Sequence, residues 1–316
     1  MKAAYYARFG GAELLNVGEL PEPPLAAGDV LIRVRAAGVN RLDWKIRQGA
    51  FKSTLPYAFP IIPGWDAAGE VAAVGEGVTG LSKGMRVMAC TRQPVVQWGA
   101  CAEYVAVPAS AVAQTPQSLD DPQAAALPVA GLTAWQALVE FARVEAGQAV
   151  LVHGAAGGVG SLAVGIARQR GATVIGTASP DQADYVRALG ADAVLDDAAP
   201  DLAAAILARA ADGVDVVLDT LGGETLVLSY GVVKPGGTLV SLVEQPDLDQ
   251  CAHKDLSARQ LLVRPDGGQL AEVAALVASG AVPLPEIQTL PLERIAEAHR
   301  LSEAGQVRGK LVLTIS

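Results

Sequence analysis

Four glycines, Gly154, Gly157, Gly158 and Gly160, stand between a short apolar run and a helical one, a spacing suited to holding a phosphate. Without a Cβ, glycine adopts positive φ and lets a ligand approach the backbone. Gly158-Val159-Gly160 followed by Ala163 fits the G-x-G-x-x-G/A frame of dinucleotide-binding turns. In such a turn a pyrophosphate meets the N–H groups at a helix start, where the helix dipole adds partial positive charge. A tight turn without a ligand has little need of four glycines. Gly154, Ala155, Gly157, Gly158, Val159 and Gly160 are therefore the cofactor-binding candidates.

Other reactive side chains are scattered. Cys90, Cys101 and Cys251 are far apart and form no C-x-x-C pair, which implies neither a disulfide framework nor a cysteine metal knuckle. With three histidines beside them, no converging set of zinc ligands is visible, and no metal is expected. Cys101 reads as a small buried thiol. His153 enters the glycine turn, where a histidine satisfied by backbone groups outranks a general base; His253 and His299 have no partner that the sequence names. A histidine-driven mechanism is not supported. Tyr230 and Lys234 spell the Y-x-x-x-K of short-chain dehydrogenases, but Lys234 precedes Pro235-Gly236-Gly237 and reads as a solvated helix end.

The elements that must position the turn follow from periodicity. Residues 149–153 are a Val-rich buried strand, Val159, Leu162, Ala163, Ile166 and Ala167 recur at helical spacing, and Gly171 ends that helix. Downstream the pattern predicts helix 184–189, strand 193–195, helix 202–211, strand 214–219, helix 224–233 and strand 237–243, with 261–264 and a helix over 269–279 completing the domain. Strand and helix alternating at this spacing imply a doubly wound parallel α/β sheet. Upstream, Val30, Ile32, Val34 and Ala36 alternate with Leu31, Arg33 and Arg35, and frequent Gly and Pro separate short Val-rich runs, predicting a compact antiparallel barrel. Asp120-Asp121-Pro122 reads as a helix start. The tail reads as strand 283–290, helix 292–302 and strand 309–315.

The chain has 316 residues, 51% of them hydrophobic, enough for about two domains with sizeable cores. Its net charge of −9 and lack of any basic run exclude nucleic acid and an anionic membrane surface as partners. The start shows no apolar signal core, and the most apolar stretch, 124–139, is broken by Pro128, Gly131 and Gln136. A cytoplasmic protein is expected.

The segments AAGVNRLDWKIRQG (36–49), PIIPGWDAAGEVAAVGEGVTGLSKGMRV (60–87), CAEYVAVPA (101–109), ALPVAGLTAWQAL (126–138), DVVLDTLGGETL (215–226) and GKLVLTI (309–315), with the glycine turn, resemble the zinc-free quinone oxidoreductase (zeta-crystallin-like) branch of the medium-chain dehydrogenase/reductase superfamily. The resemblance covers essentially the whole chain. It implies a GroES-like antiparallel β-barrel catalytic domain over 1–120 and 281–316, a Rossmann domain over 121–280, and an active-site cleft between them. Where the superfamily's zinc enzymes carry a ligating Cys this chain has Val39-Asn40, where they carry Gly-His-Glu it has Gly64-Trp65-Asp66, and their cysteine-rich loop is missing. Trp65 and Asp66 could equally pack and cap at their own turn.

The implied activity is NADPH-dependent, zinc-independent reduction of a small-molecule quinone or α,β-unsaturated carbonyl substrate. An enoyl thioester reductase and an NADPH-binding sensor or structural protein without turnover are the alternatives. In GVNRLDWK the resemblance places Asn40 and Asp43 beside the nicotinamide or holding its loop, and lets Lys45 reach a ribose hydroxyl or substrate oxygen. Asp43 and Lys45 also suit a solvated turn. Thr133 is implied to hold the carboxamide, Leu242 to lie at a strand end on the nicotinamide side, and the protein to be a homodimer through an edge strand near 239–242 or 261–264.

Cofactor choice turns on Ser179. NAD-specific folds place Asp or Glu after the second strand to bind the ribose 2′-OH. Here the strand ends Thr177-Ala178-Ser179 with no acid, and Ser179-Pro180 resembles the family's NADPH-binding serine. Ser179, Pro180 and Gln182 also fit a capping box that needs no ligand, and Asp181 adds negative charge beside them.

Overall fold

A computed structural model describes all residues, 1–316, which divide into two compact units. The second unit, Thr133–Val263 with Ser279–Pro285, holds a six-stranded parallel sheet in the spatial order Ala193–Asp196, Thr173–Ala178, Ala149–His153, Val214–Asp219, Val233–Ser241, Ser257–Gln260. Alternation within its strands serves both faces. Leu151, Ile175, Val217 and Leu239 pack into one cluster with Leu202 and Ile206 of the helix Leu202–Leu207 and Leu226 of Glu224–Val232. Their neighbours Val150, Val152, Val174, Val216 and Val240 are equally buried. Gly176 faces the latter side: a Cβ there would stand 2.9 Å from both Ala155 Cβ and Val186 Cγ1, so only glycine lets the helix Ala183–Ala188 close onto the sheet. The glycine turn thus sits at the end of a central strand with helices on both faces, as its sequence predicts.

Two expectations for this unit need correction. The last strand is Ser257–Gln260, not 261–264, because Leu261 and Val263 bury their side chains in an irregular segment beyond it. Lys234 lies in the strand Val233–Ser241 rather than at a helix end, where it pairs with Asp215.

The first unit, Met1–Leu132 with Arg264–Ala278 and Glu286–Ser316, is built on a seven-stranded sheet. Its spine is the strand Asp29–Val39, which pairs antiparallel with Asp66–Val74, Tyr104–Pro108 and Lys310–Thr314. Val30, Ile32, Val34 and Ala36 are buried, as their alternation predicts. Ile287–Pro291 runs parallel to Lys310–Thr314, so the sheet is not purely antiparallel. The unit boundary falls at Leu132/Thr133, inside the helix Pro128–Trp135, rather than at 120/121. The helix Gly267–Ala278 belongs to the first unit, not to the parallel sheet: at Gly267 a Cβ would lie 2.3 Å from Val112 O, so a glycine here lets the helix start meet the strand Val112–Gln114.

Three buried titratable groups make stability depend on pH in opposite senses. Burial, helped by the Arg47 guanidinium that donates to His299 Nδ1 at 3.3 Å, lowers His299 to about 3. Burial lowers His153 to about 4 against the pull of Asp219. Both stay neutral in the fold, so their stabilisation is full above the unfolded value of about 6.5 and is lost as pH falls toward the folded values. Burial raises Asp43 to about 7, so its contribution is full in acid and is lost as pH rises through 7. Between pH 4 and 6.5 two histidines oppose one carboxyl. The thermal midpoint is expected to fall as pH is lowered across that window, and His299→Gln to make the fall shallower; melting curves at matched ionic strength check both.

Candidate functional site

In the second unit the strand Ala149–His153 delivers the chain into the turn at Gly154, whose φ is +67°. A Cβ on Gly154 would meet Thr220 Oγ1 at 2.5 Å, and one on Gly160 would meet Gly154 O at 2.2 Å and Ala155 Cα at 2.7 Å. The two glycines thus answer to different demands: Gly154 to backbone conformation, Gly160 to the turn folding tightly over the helix Gly158–Gln169. The first intrahelical bond runs from Ser161 N to Gly157 O at 2.8 Å, so the N–H groups of Gly158, Val159 and Gly160 precede the ladder and form the donor set an anion needs. Ala155 is buried, its N–H donating to Thr177 O at 2.9 Å. The cradle fits a dinucleotide pyrophosphate.

His153 is held by a side chain rather than by backbone groups. Its Nδ1 faces Thr177 Oγ1 at 3.1 Å, while Nε2 is buried without a partner. A neutral, enclosed imidazole is no general base for an external substrate. Asp219, not singled out by the sequence, is fully buried and accepts from Leu221 N, Gly222 N, Thr225 Oγ1 and Ser241 Oγ at 2.9–3.1 Å. It ties two strand ends together, and Leu242 N donates to its carbonyl at 2.9 Å. Leu242 is thereby fixed at the end of Val233–Ser241. Thr133 is buried on Pro128–Trp135. Ser179 follows Thr173–Ala178 with extended backbone and makes no side-chain cap to the turn Pro180–Gln182; only its carbonyl accepts, from Gln182 N at 2.9 Å. The capping-box alternative for Ser179 is therefore not what the fold uses. Tyr230 Oη accepts from Asp247 N at 2.7 Å and Lys234 pairs with Asp215, so the Y-x-x-x-K residues have separate structural partners.

In the first unit the strand Asp29–Val39 ends at Asn40, which begins the helix Arg41–Arg47. Asn40 and Asp43 are brought together: Asp43 Oδ2 accepts from Asn40 N at 2.7 Å. Asp43 is 3% exposed, so it is no solvated turn residue. Burial pushes its carboxyl up to about 7; the Asn40 N–H opposes the rise and the nearby Asp66 charge adds to it. The Lys45 ammonium lies 5.7 Å from the centre of the Trp44 ring. The sequence reading missed what holds Asn40. Lys310 Nζ donates to Asn40 Oδ1 at 2.7 Å and to Asp66 Oδ2 at 2.8 Å, while Asn40 Nδ2 donates to the same Asp66 oxygen at 2.8 Å. The signal was a lysine set in an otherwise apolar strand, Lys310-Leu311-Val312-Leu313, where a charge demands a partner.

These residues do not fit a zinc ion. Asp66 is already neutralised by Lys310, Trp65 offers no ligand, and no three His, Cys, Asp or Glu side chains converge. The cysteines are all buried and free. Burial holds the Cys101 thiol well above its ordinary range and pushes Cys90 up to about 12, which makes Cys101 an inert core thiol, as expected. Gly64, at φ +97°, makes room for it: a Cβ there would lie 2.7 Å from Cys101 Sγ.

Known proteins match along this frame. Residues 26–117 match the alcohol dehydrogenase GroES-like domain and residues 189–313 the zinc-binding dehydrogenase family. An NADPH-dependent alkenal/one oxidoreductase of Arabidopsis thaliana chloroplasts is 34% identical over 99% of this chain and 79% of its own. A polyketide synthase of Streptomyces halstedii is 38% identical over 92% of this chain, which spans only 5% of that protein's length. The solved quinone oxidoreductase from Coxiella burnetii superposes with a TM-score of 0.90 at 34% identity, covering 100% of this chain and 99% of its own. No helix is long and apolar enough to cross a membrane.

Proposed function

The chain belongs to the quinone oxidoreductase branch of the medium-chain dehydrogenase/reductase superfamily, and from that membership we propose that it reduces quinones or α,β-unsaturated carbonyl compounds with NADPH. The observation that carries the reading is the cradle formed by Gly154, Gly160 and the leading amides of Gly158–Gln169, with Ser179 rather than an acid after the second strand. NADPH, when bound there, supplies the hydride. The chain's own work is to bind, to orient and to stabilise charge on the acceptor oxygen.

Asn40 is suited to that last task. With one Nδ2 hydrogen held by Asp66, it retains one N–H for an acceptor oxygen. One neutral donor supplies far less stabilisation than a metal ion, so it serves acceptors that spread the developing charge by conjugation. Asp43 holds the Asn40 backbone and Lys45 serves binding; Thr133 and Leu242 contact the nicotinamide. A panel of quinones, enones, enals and enoyl thioesters tests the acceptor class through NADPH oxidation. Turnover of quinones or enones supports the reading. Activity confined to enoyl thioesters favours the thioester reductase, and tight NADPH binding with no turnover favours a sensor.

Ser179 sets the cofactor preference by leaving room for a 2′-phosphate. Ser179→Asp is expected to reverse the NADPH:NADH ratio of kcat/KM by about tenfold or more, since each 1.4 kcal/mol of charge repulsion is a factor of ten. An unchanged ratio contradicts the assignment. We also read the protein as a homodimer. The edge strand Ser257–Gln260 leaves one row of backbone groups unpaired within the sheet, with Leu262 and Leu248 exposed nearby in sequence. Light scattering at micromolar concentration should report twice the chain mass; a monomer refutes this reading.

A further inference from the structure

We propose that Lys310 and Asp66 are positioning residues whose buried ion pair locks the Asn40 carboxamide in one orientation, and with it the direction of its remaining N–H. The consequence for turnover rests on the reading of Asn40 as the acceptor-oxygen donor; the lock itself does not. Lys310 and Asp66 are 3% and 0% exposed at their side chains. Together with Asn40 they close a ring of three hydrogen bonds, all 2.7–2.8 Å. Reversing the amide would set its NH2 against the Lys310 ammonium and its oxygen against the Asp66 carboxylate, so both contacts become repulsive. Neutral groups alone would not impose that choice so strongly.

The backbone is arranged to allow the ring. Strand register places Leu311 opposite Val39, which brings Lys310 to the level of Asn40, and places Asp66 opposite Gly38. A Cβ on Gly38 would stand 2.5 Å from Asp66 Oδ2 and 2.6 Å from Ala125 O, so the glycine leaves the space through which the carboxylate turns. Asp66 Oδ1 accepts from Val129 N at 2.5 Å, and Lys310 N donates to Glu286 O at 2.8 Å, which anchor both charged residues independently of Asn40. The ring therefore reads as a frame built around the amide. A salt bridge serving only the core would have no need of Asn40 as its third corner.

The sequence contains just two asparagines, Asn16 and Asn40, which makes the lock directly observable. Protein labelled with 15N-asparagine gives two side-chain NH2 signals, and Asn40→Ala identifies which is which. In the wild type the Asn40 NH2 should exchange with water far more slowly than that of exposed Asn16. In Asp66→Asn/Lys310→Met, which removes both charges and keeps an acceptor for Val129 N, the substitution adds a third labelled amide, and the same variant carrying Asn40→Ala identifies which signal belongs to Asn40. The protection of the Asn40 NH2 should there fall at least about tenfold, and kcat should fall about 10- to 100-fold, the range expected for a misplaced group. The NADPH dissociation constant should be unchanged, and adding Asn40→Ala to that variant should lower kcat no further. Gly38→Ala, which keeps both charges but crowds the Asp66 carboxylate together with the Ala125 carbonyl, should also reduce the protection. Undiminished Asn40 protection in the folded double variant overturns the proposal. So does a further loss of kcat on adding Asn40→Ala equal to its loss in the wild type. If no conjugated acceptor is turned over, the function assigned above fails, and the exchange measurement still decides the lock.

Discussion

Gly160→Val is expected to weaken NADPH binding at least about 100-fold while the first unit stays folded. Any Cβ at this position meets backbone, with Gly154 O at 2.2 Å, Ala155 Cα at 2.7 Å and Gly154 C at 2.9 Å. No side-chain rotation relieves that crowding, so the turn itself must move. Displacing it redirects the amides of Gly158 and Val159 away from the pyrophosphate, and hydrogen bonds to a charged group contribute about 1.5–3 kcal/mol each. Losing two of them gives about 3 kcal/mol or more, hence the hundredfold estimate. Fluorescence titration of NADPH, with circular dichroism to confirm the fold, is the check. A dissociation constant within about threefold of wild type would mean that the phosphate is held elsewhere.

Lys310→Met should be the most destabilising single change in the first unit, at about 3–5 kcal/mol, because it leaves the Asp66 carboxylate buried without its counter-charge. For a chain of this size that corresponds to a fall in the thermal midpoint of roughly 5–8 °C. Removing both charges in Asp66→Asn/Lys310→Met should restore at least half of the loss, since replacing a buried ion pair as a whole is far milder than orphaning one ion. Urea unfolding of the three proteins measures this directly. Equal destabilisation of the single and double variants would show that packing, not charge, dominates at Lys310.

Much of this molecule was legible from local pattern. The strands 149–153 and 214–219 fall where their Val-rich runs place them, and Asp120 caps the helix Asp121–Ala125 as the Asp-Asp-Pro start predicts, accepting from Gln123 N at 2.8 Å. What stayed hidden is non-local or lacks an apolar signature. The edge strand Ser-Ala-Arg-Gln at 257–260 carries no hydrophobic run, and the apolar Leu261-Leu262-Val263 beside it drew the prediction away. The Asn40–Asp66–Lys310 ring joins positions 26 to 270 residues apart, which only strand register brings together. Ser179 was legible in type and place, yet whether its hydroxyl caps a turn was settled by geometry, not by sequence.

The central claim, hydride reduction of a conjugated acceptor, is tested most directly by following the label from NADPH deuterated at the transferring C4 position. With an enone such as a 1-phenyl-but-2-en-1-one as acceptor, the saturated ketone should carry one deuterium, at the β-carbon, with the carbonyl intact, and the corresponding saturated ketone offered alone should not be reduced. Deuterium on the carbinol carbon of an allylic alcohol, or equal reduction of the saturated ketone, would contradict the account.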